Sequence, residues 1–193
     1  MTALLLGLLI FLGVHSVRIV ADGWRGRTIA RLGPARWQGL YTLVSLAGFA
    51  LIVWGYGQAR AAPLLLWASP TWTRHLAALL MAVSMVLLAA AYVPGNGIKA
   101  RVHHPMVLAV KVWALAHLLA NNSLADLWLF GGFLVWAVLN FRASRQRDRA
   151  AGVCYPAGRA GATGLTVGLG LVAWAALAFW AHGWLFGVRP FGG

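Results

Sequence analysis

Six long apolar stretches separated by short basic segments dominate this chain of 193 residues. A helix needs about 20 predominantly apolar residues to cross the hydrocarbon core of a bilayer. The stretches of about this length are 2–20, 38–59, 74–93, 105–121, 124–141 and 162–186. They predict an all-α, polytopic transmembrane bundle of about six helices, or five if the first is peripheral. We expect one membrane domain over 1–193 in the lipid bilayer, with helices packed through Gly, Ala and Ser.

The distribution of charge predicts the orientation of the chain. Lys and Arg number 16 against three Asp and Glu, for a net charge of +13. Most of these cations fall in the first, third and fifth inter-helix segments, namely Arg18, Arg25, Arg27, Arg31, Arg36, Lys99, Arg101, Arg142, Arg145, Arg147, Arg149 and Arg159. By the positive-inside rule these segments are cytoplasmic and both termini lie outside. Topology therefore explains the basic charge, and we expect no nucleic-acid partner.

The scarcity of acids and thiols excludes several kinds of site. Asp22, Asp126 and Asp148 are too scattered for paired-carboxylate catalysis, a carboxylate-bridged di-iron centre or a Ca²⁺ cage. A single cysteine, Cys154, excludes an internal disulfide, a thiolate zinc site and an iron–sulfur cluster. Asp126, near a helix start, is a poor carboxylate for coupled transport, so a small transporter ranks last among the functions considered.

The six histidines are the main candidates for chemistry, and the first is His15. Arg18 follows three residues later and lies on the same helix face. An imidazole beside a guanidinium fits haem iron and one propionate. The alternative is structural: His15 bonds a backbone carbonyl and Arg18 pairs with Asp22.

A stripe of polar and aromatic residues marks the fourth apolar stretch. Trp113, His117 and Asn121 repeat every four residues and share one face. The stripe suits a flat ligand, because Ala114 leaves room beside the imidazole. The alternative is a polar packing seam in which His117 bonds Asn121. Lys111 either snorkels toward the cytoplasmic face or provides a counter-ion for a propionate.

The remaining histidines lie near predicted membrane boundaries. His103 and His104 belong to the cytoplasmic layer, where His104 caps the following helix or the pair binds a metal. His75 and His182 belong to the outer layer.

Several of these motifs resemble the NnrU family of bacterial membrane proteins over nearly the whole chain. The motifs are His104-Pro105, Trp113-Ala114-Leu115-Ala116-His117-Leu118-Leu119-Ala120-Asn121, Gly13-x-His15-Ser16, Arg25-Gly26-Arg27 and Tyr41-x-x-Val44-Ser45. The family is similar to plant and algal zeta-carotene isomerase, which holds haem b between two histidines and uses the iron redox state to isomerise a polyene. Bacterial members are associated with denitrification and nitric-oxide metabolism.

The resemblance implies a multi-pass protein of the bacterial inner membrane that binds haem b. It assigns the iron ligands to His15 and His117, with Arg18 and Lys111 as further cofactor-binding residues, and leaves catalytic residues unknown. The implied activity is isomerase-like, on an apolar polyene-like substrate. The alternative is a non-catalytic accessory or assembly factor that acts with denitrification components.

This sequence departs from its relatives at two places. Ala114 stands where the plant isomerase has a cysteine, so a redox-linked ligand change involving that cysteine is unavailable here. Asn122-Ser123 stands where many relatives have Gly-Asp after the asparagine, so this chain has no carboxylate at that position.

The depths of the two ligands leave their pairing open. By helix rise, His15 lies about 5–8 Å and His117 about 18 Å from the predicted cytoplasmic boundary. One haem between them requires tilted helices or an inclined haem, and tilts of up to about 40° occur. Otherwise His15 pairs with His104, and His117 pairs with His75 or His182.

Overall fold

The computed structural model describes residues 1–191, which are helical with short connections and contain no β-strand. The helices are α1 (Thr2–Val20), α2 (Asp22–Leu32), α3 (Pro34–Ala61), α4 (Thr71–Tyr92), α5 (Gly97–Val102), α6 (Pro105–Ala120), α7 (Leu124–Ala150), α8 (Ala160–Ala176) and, after a π-helical turn over Leu177–Ala181, α9 (His182–Phe186). The predicted all-α class is confirmed. The last two residues of the predicted domain, 192–193, lie outside the described residues.

Five helical segments within the described residues are long and apolar enough to cross a membrane. They are Thr2–Val20, Pro34–Ala61, Thr71–Tyr92, Leu124–Ala150 and Ala160–Phe186. The fourth apolar stretch forms α6, whose 16 residues rise about 24 Å, less than the hydrocarbon thickness of about 30 Å. Of the six predicted spans, the one too short to cross is therefore α6. The first stretch, which was expected to be the peripheral one in a five-helix bundle, is long enough to span.

Two predicted loops are largely helical. The basic segment after α1 forms α2, and α7 continues through its arginines to Ala150. Both segments contain several arginines, which favour helix, and neither helical part contains a proline. The break between α2 and α3 falls at Gly33-Pro34, where Gly33 has a φ of 82° and Pro34 begins α3.

Residue contacts divide the chain into two compact units, the first comprising residues 1–68 and 122–140. In this unit α1 packs closely against α3 through glycines. A Cβ atom on Gly7 would lie 2.6 Å from the Ile52 backbone nitrogen, and one on Gly48 would lie 2.8 Å from that of Phe11. Such contacts require hydrogen atoms in place of side chains, as in membrane helix pairs that associate through small residues.

The second unit comprises residues 69–121 and the described residues from 141 onward. Its helix α4 packs against α6 and α8. Ser84 Oγ donates to the Ala109 carbonyl of α6 at 2.8 Å, and a Cβ on Gly170 of α8 would lie 2.5 Å from Val86 Cα. The small residues expected at helix contacts are therefore present in both units.

The turn between α4 and α5 is held by Asn96, whose side chain is buried. Its Oδ1 accepts from the Lys99 backbone nitrogen at 2.7 Å, and its Nδ2 donates to the Ala90 carbonyl at 2.9 Å. These bonds satisfy backbone groups at the ends of both helices. They fix the position from which α5 leads to His103 and His104.

We expect Gly48→Ala to destabilise the protein, because its methyl group would overlap the α1 backbone. Overpacking of this kind costs about 1–3 kcal/mol. Thermal unfolding in detergent measures the effect. Gly39→Ala on the same helix is the control, because nothing lies within 4 Å of its added Cβ. Equal midpoints for the two variants would contradict close packing of α1 on α3.

Candidate functional site

His15 lies on α1, within the first unit and among aromatic rings. Its ring stacks on Phe11 with a centroid distance of 4.2 Å, and the rings of Tyr41 and Trp136 lie at 5.2 and 6.0 Å. Its Nδ1 donates to the Phe11 carbonyl at 2.7 Å. The backbone bond foreseen as the structural alternative is therefore present.

The same bond has a chemical consequence. An imidazole that donates from Nδ1 carries its lone pair on Nε2, the arrangement typical of metal-ligating histidines. The bond also fixes the orientation of the ring, because its acceptor belongs to the helix backbone. His15 therefore has the tautomer and the support that a metal ligand needs.

Trp136 of α7 adds an unsatisfied donor beside His15. Its Nε1 atom is buried and has no hydrogen-bond partner among the described residues. Buried polar atoms are nearly always paired, so this indole N–H is suited to an oxygen atom of a bound group.

His117 lies on α6 in the second unit and repeats the geometry of His15. Its Nδ1 donates to the Trp113 carbonyl at 2.9 Å. The Asn121 amide donates to the His117 backbone carbonyl at 2.8 Å, so the expected His117–Asn121 bond involves the backbone. Ala114, on the same helix, is fully buried, which favours a closely packed helix over open space beside it.

The predicted cofactor residues divide between the two units. His15 and Arg18 belong to the first, and His117 and Lys111 to the second. Lys111 precedes His117 by six residues, which puts them about 120° apart around α6. Asp22, the partner foreseen for Arg18, lies 3.6 Å from Arg25.

His103 and His104 belong to a cluster that sequence reasoning missed. His104 Nε2 donates to Asp148 Oδ2 at 2.8 Å, and the Tyr155 hydroxyl donates to the same oxygen at 3.0 Å. Arg145 donates to His103 Nδ1. No group of three or more His, Cys, Asp or Glu suited to a metal ion occurs in residues 1–191.

His104 occupies the N-cap position of α6, as expected, but its side chain makes no capping bond. Its Nε2 is engaged by Asp148, so that atom is not available to the iron in the alternative pairing with His15. His104 and Asp148 are 44 residues apart in the chain, so no local sequence pattern predicts their contact.

Desolvation and the charges around this cluster shift the pKa values of His103 and Tyr155. Desolvation and the adjacent Arg145 guanidinium lower the pKa of His103 below its ordinary 6.5, although Asp148 opposes them. Desolvation and the hydrogen bond to Asp148 raise the pKa of Tyr155 above 10.

Arg145→Gln should raise the pKa of His103. The substitution removes a cation that disfavours the protonated imidazole, whereas Asp148, which favours it, remains. Imidazole NMR titration of the protein in detergent measures the shift. Arg149→Gln is the control, since it removes the same charge from the exposed end of α7. A similar shift in both variants would indicate a general charge effect and contradict the specific contact.

Asp126 is buried at the start of α7 and fully engaged in the first unit. Its Oδ1 accepts from the Tyr56 hydroxyl at 2.5 Å, and its Oδ2 accepts from Ser123 Oγ at 2.6 Å and Ser123 N at 3.0 Å. This carboxylate caps a helix and ties it to α3.

Asp126→Asn should lower the free energy of unfolding by about 1–3 kcal/mol, because an amide nitrogen would face hydrogen-bond donors. Thermal unfolding in detergent tests this expectation. Asp22→Asn is the control, since an exposed ion pair contributes about 0–1 kcal/mol. An unchanged midpoint in the Asp126 variant would contradict a structural role.

Comparison with known proteins gives one match. The family model described as NnrU protein matches residues 3–190. No curated protein and no solved structure matches the chain significantly.

Proposed function

The chain belongs to the NnrU family, and from this premise we propose that it is a haem b protein of the membrane, with His15 and His117 as the iron ligands. The observation that carries the proposal is the geometry shared by these two histidines. Each sits in an apolar helix, and each donates from Nδ1 to the carbonyl four residues earlier, at 2.7 and 2.9 Å.

The residues around His15 fit the cofactor in three respects. The aromatic rings of Phe11, Tyr41 and Trp136 give the imidazole an apolar, flat-sided lining. The indole N–H of Trp136 lacks an acceptor, and Arg18 adds a cation on the His15 face. Propionates and other oxygen atoms are the groups that such donors bind.

Haem b, when bound, would supply one-electron redox chemistry. The protein residues would hold the iron through two Nε2 atoms, and the backbone bonds at Nδ1 would increase the basicity of both imidazoles. Arg18 and Lys111 would balance the propionate charges. The aromatic lining, extended by Phe49 and Phe133 at 6.2 and 5.7 Å from Phe11, suits an apolar polyene-like substrate.

This function would operate in the bacterial inner membrane and be linked to denitrification and nitric-oxide metabolism, as the family resemblance implies. The activity would be redox-dependent and isomerase-like. No acid–base residue is assigned, because each of the three carboxylates is engaged by a neighbouring side chain.

A second function is favoured by that same engagement of the carboxylates. A chain without an available carboxylate fits a non-catalytic accessory or assembly factor for nitrite or nitric-oxide reduction. The two functions differ in whether His15 and His117 are needed. A His15→Ala, His117→Ala double variant that still supports growth by denitrification would favour the accessory factor.

We expect the detergent-purified protein to show a Soret band, with sharp α and β bands after dithionite reduction. His15→Ala and His117→Ala should each lose the six-coordinate spectrum, because each removes one nitrogen that would bind the iron. His75→Ala and His182→Ala are the matched controls and should retain it.

The controls also test the pairing. Loss of the six-coordinate spectrum in His75→Ala or His182→Ala would assign that histidine to the iron in place of His15. A wild-type protein without a Soret band after haem supplementation would contradict the proposal.

A further inference from the structure

A small cavity opens beside the first turn of α6, within the second unit. It has a volume of about 240 Å³ and is lined by Lys99, His103, His104, Ala91 and residues 105–107. Pockets for drug-sized ligands measure roughly 300–1,000 Å³. The cavity therefore suits a small group and is separate from the aromatic lining around His15.

The polar side chains that line the cavity are all cationic or protonatable. Lys99 presents an ammonium group whose Nζ lies 3.4 Å from the Ala91 carbonyl, a long contact that leaves further N–H donors. His103 and His104 contribute two imidazoles, and no carboxylate lines the cavity. This lining favours an anion over a cation or a neutral ligand.

The residues behind the lining add to this preference. Arg145 contacts His103, which adds a second permanent positive charge next to the cavity. Asp148 accepts a hydrogen bond from His104 Nε2 and so holds that imidazole in the wall of the cavity. Tyr155 bonds the same carboxylate and covers His103 with its ring at 4.1 Å.

The remaining walls are apolar. Ala91, Pro105, Met106 and Val107 line the cavity beside its basic groups, and all of these residues belong to segments predicted to meet the cytoplasmic face. Basic pockets with apolar walls at that face bind the headgroups of anionic phospholipids.

We propose that this cavity binds a phosphate-bearing anion through the ammonium group of Lys99 and the imidazole of His103, with His104 in its wall. The anion is the headgroup of an anionic phospholipid or a free phosphate, which share the recognised group. The site is independent of the haem ligands, so its test does not depend on the proposed function.

The experiment measures binding by the full-length, delipidated protein in a zwitterionic detergent. One arm titrates inorganic phosphate by calorimetry. The other adds phosphatidylglycerol or phosphatidylcholine and counts retained lipids by native mass spectrometry. Saturable phosphate binding identifies a soluble source, and retention of phosphatidylglycerol over phosphatidylcholine identifies a lipid. Either result supports the proposal, provided that Lys99→Gln weakens the binding that is measured.

Lys99→Gln should weaken binding about fivefold, the effect of one basic residue near an anionic headgroup. The substitution leaves the Asn96 cap intact, because that cap uses the Lys99 backbone nitrogen. Lys99→Arg should keep the affinity, and Arg101→Gln is the control, since it removes an exposed cation of the same helix outside the cavity.

Two results would overturn the proposal. One is a wild-type protein that binds neither phosphate nor phosphatidylglycerol. The other is equal weakening in Lys99→Gln and Arg101→Gln, which would reduce the effect to overall charge.

Discussion

The structure depends on the need to satisfy polar groups inside apolar helices. An unpaired polar group in hydrocarbon costs several kcal/mol, and several side chains here meet that cost by bonding the carbonyl four residues earlier. They are His15, Ser16, Ser45, His117 and Thr166. For the two histidines this bond also selects the tautomer and fixes the ring, so that the lone pair of each imidazole lies on Nε2.

The three aspartates are likewise paired with neighbouring polar groups. Asp22 pairs with Arg25, Asp126 caps α7 and bonds Tyr56, and Asp148 accepts from His104 and Tyr155. Each carboxylate is engaged by a neighbour, so acid–base chemistry has no unoccupied carboxylate. On the haem proposal, the chemistry of this chain depends on two imidazoles and the group that they would bind. The haem proposal and the accessory-factor alternative therefore differ in whether His15 and His117 are needed for function.

Much of the fold was predictable because its determinants are local. Hydrophobic length predicted the five long spans, but it did not show that the fourth stretch forms a helix, α6, shorter than the hydrocarbon core. The helical character of the basic segments was missed, because they were interpreted as connections between spans although arginine favours helix. Of the site, the stripe of Trp113, His117 and Asn121 was predictable from its spacing. The cluster of His104 with Asp148 and Tyr155 was not, because its partners come from distant segments.

The sequence by itself determined the membrane environment, the all-helical class, the NnrU family and the supply of histidines, because transfer free energy and helix periodicity act over short stretches of chain. The tertiary structure decided which groups became partners: His104 with Asp148 across 44 residues, and Tyr56 with Asp126 across 70. Such pairs depend on how each helix is rotated against its neighbours. That rotation follows from close contacts such as Gly7 and Gly48 between α1 and α3, which exist only after the helices pack.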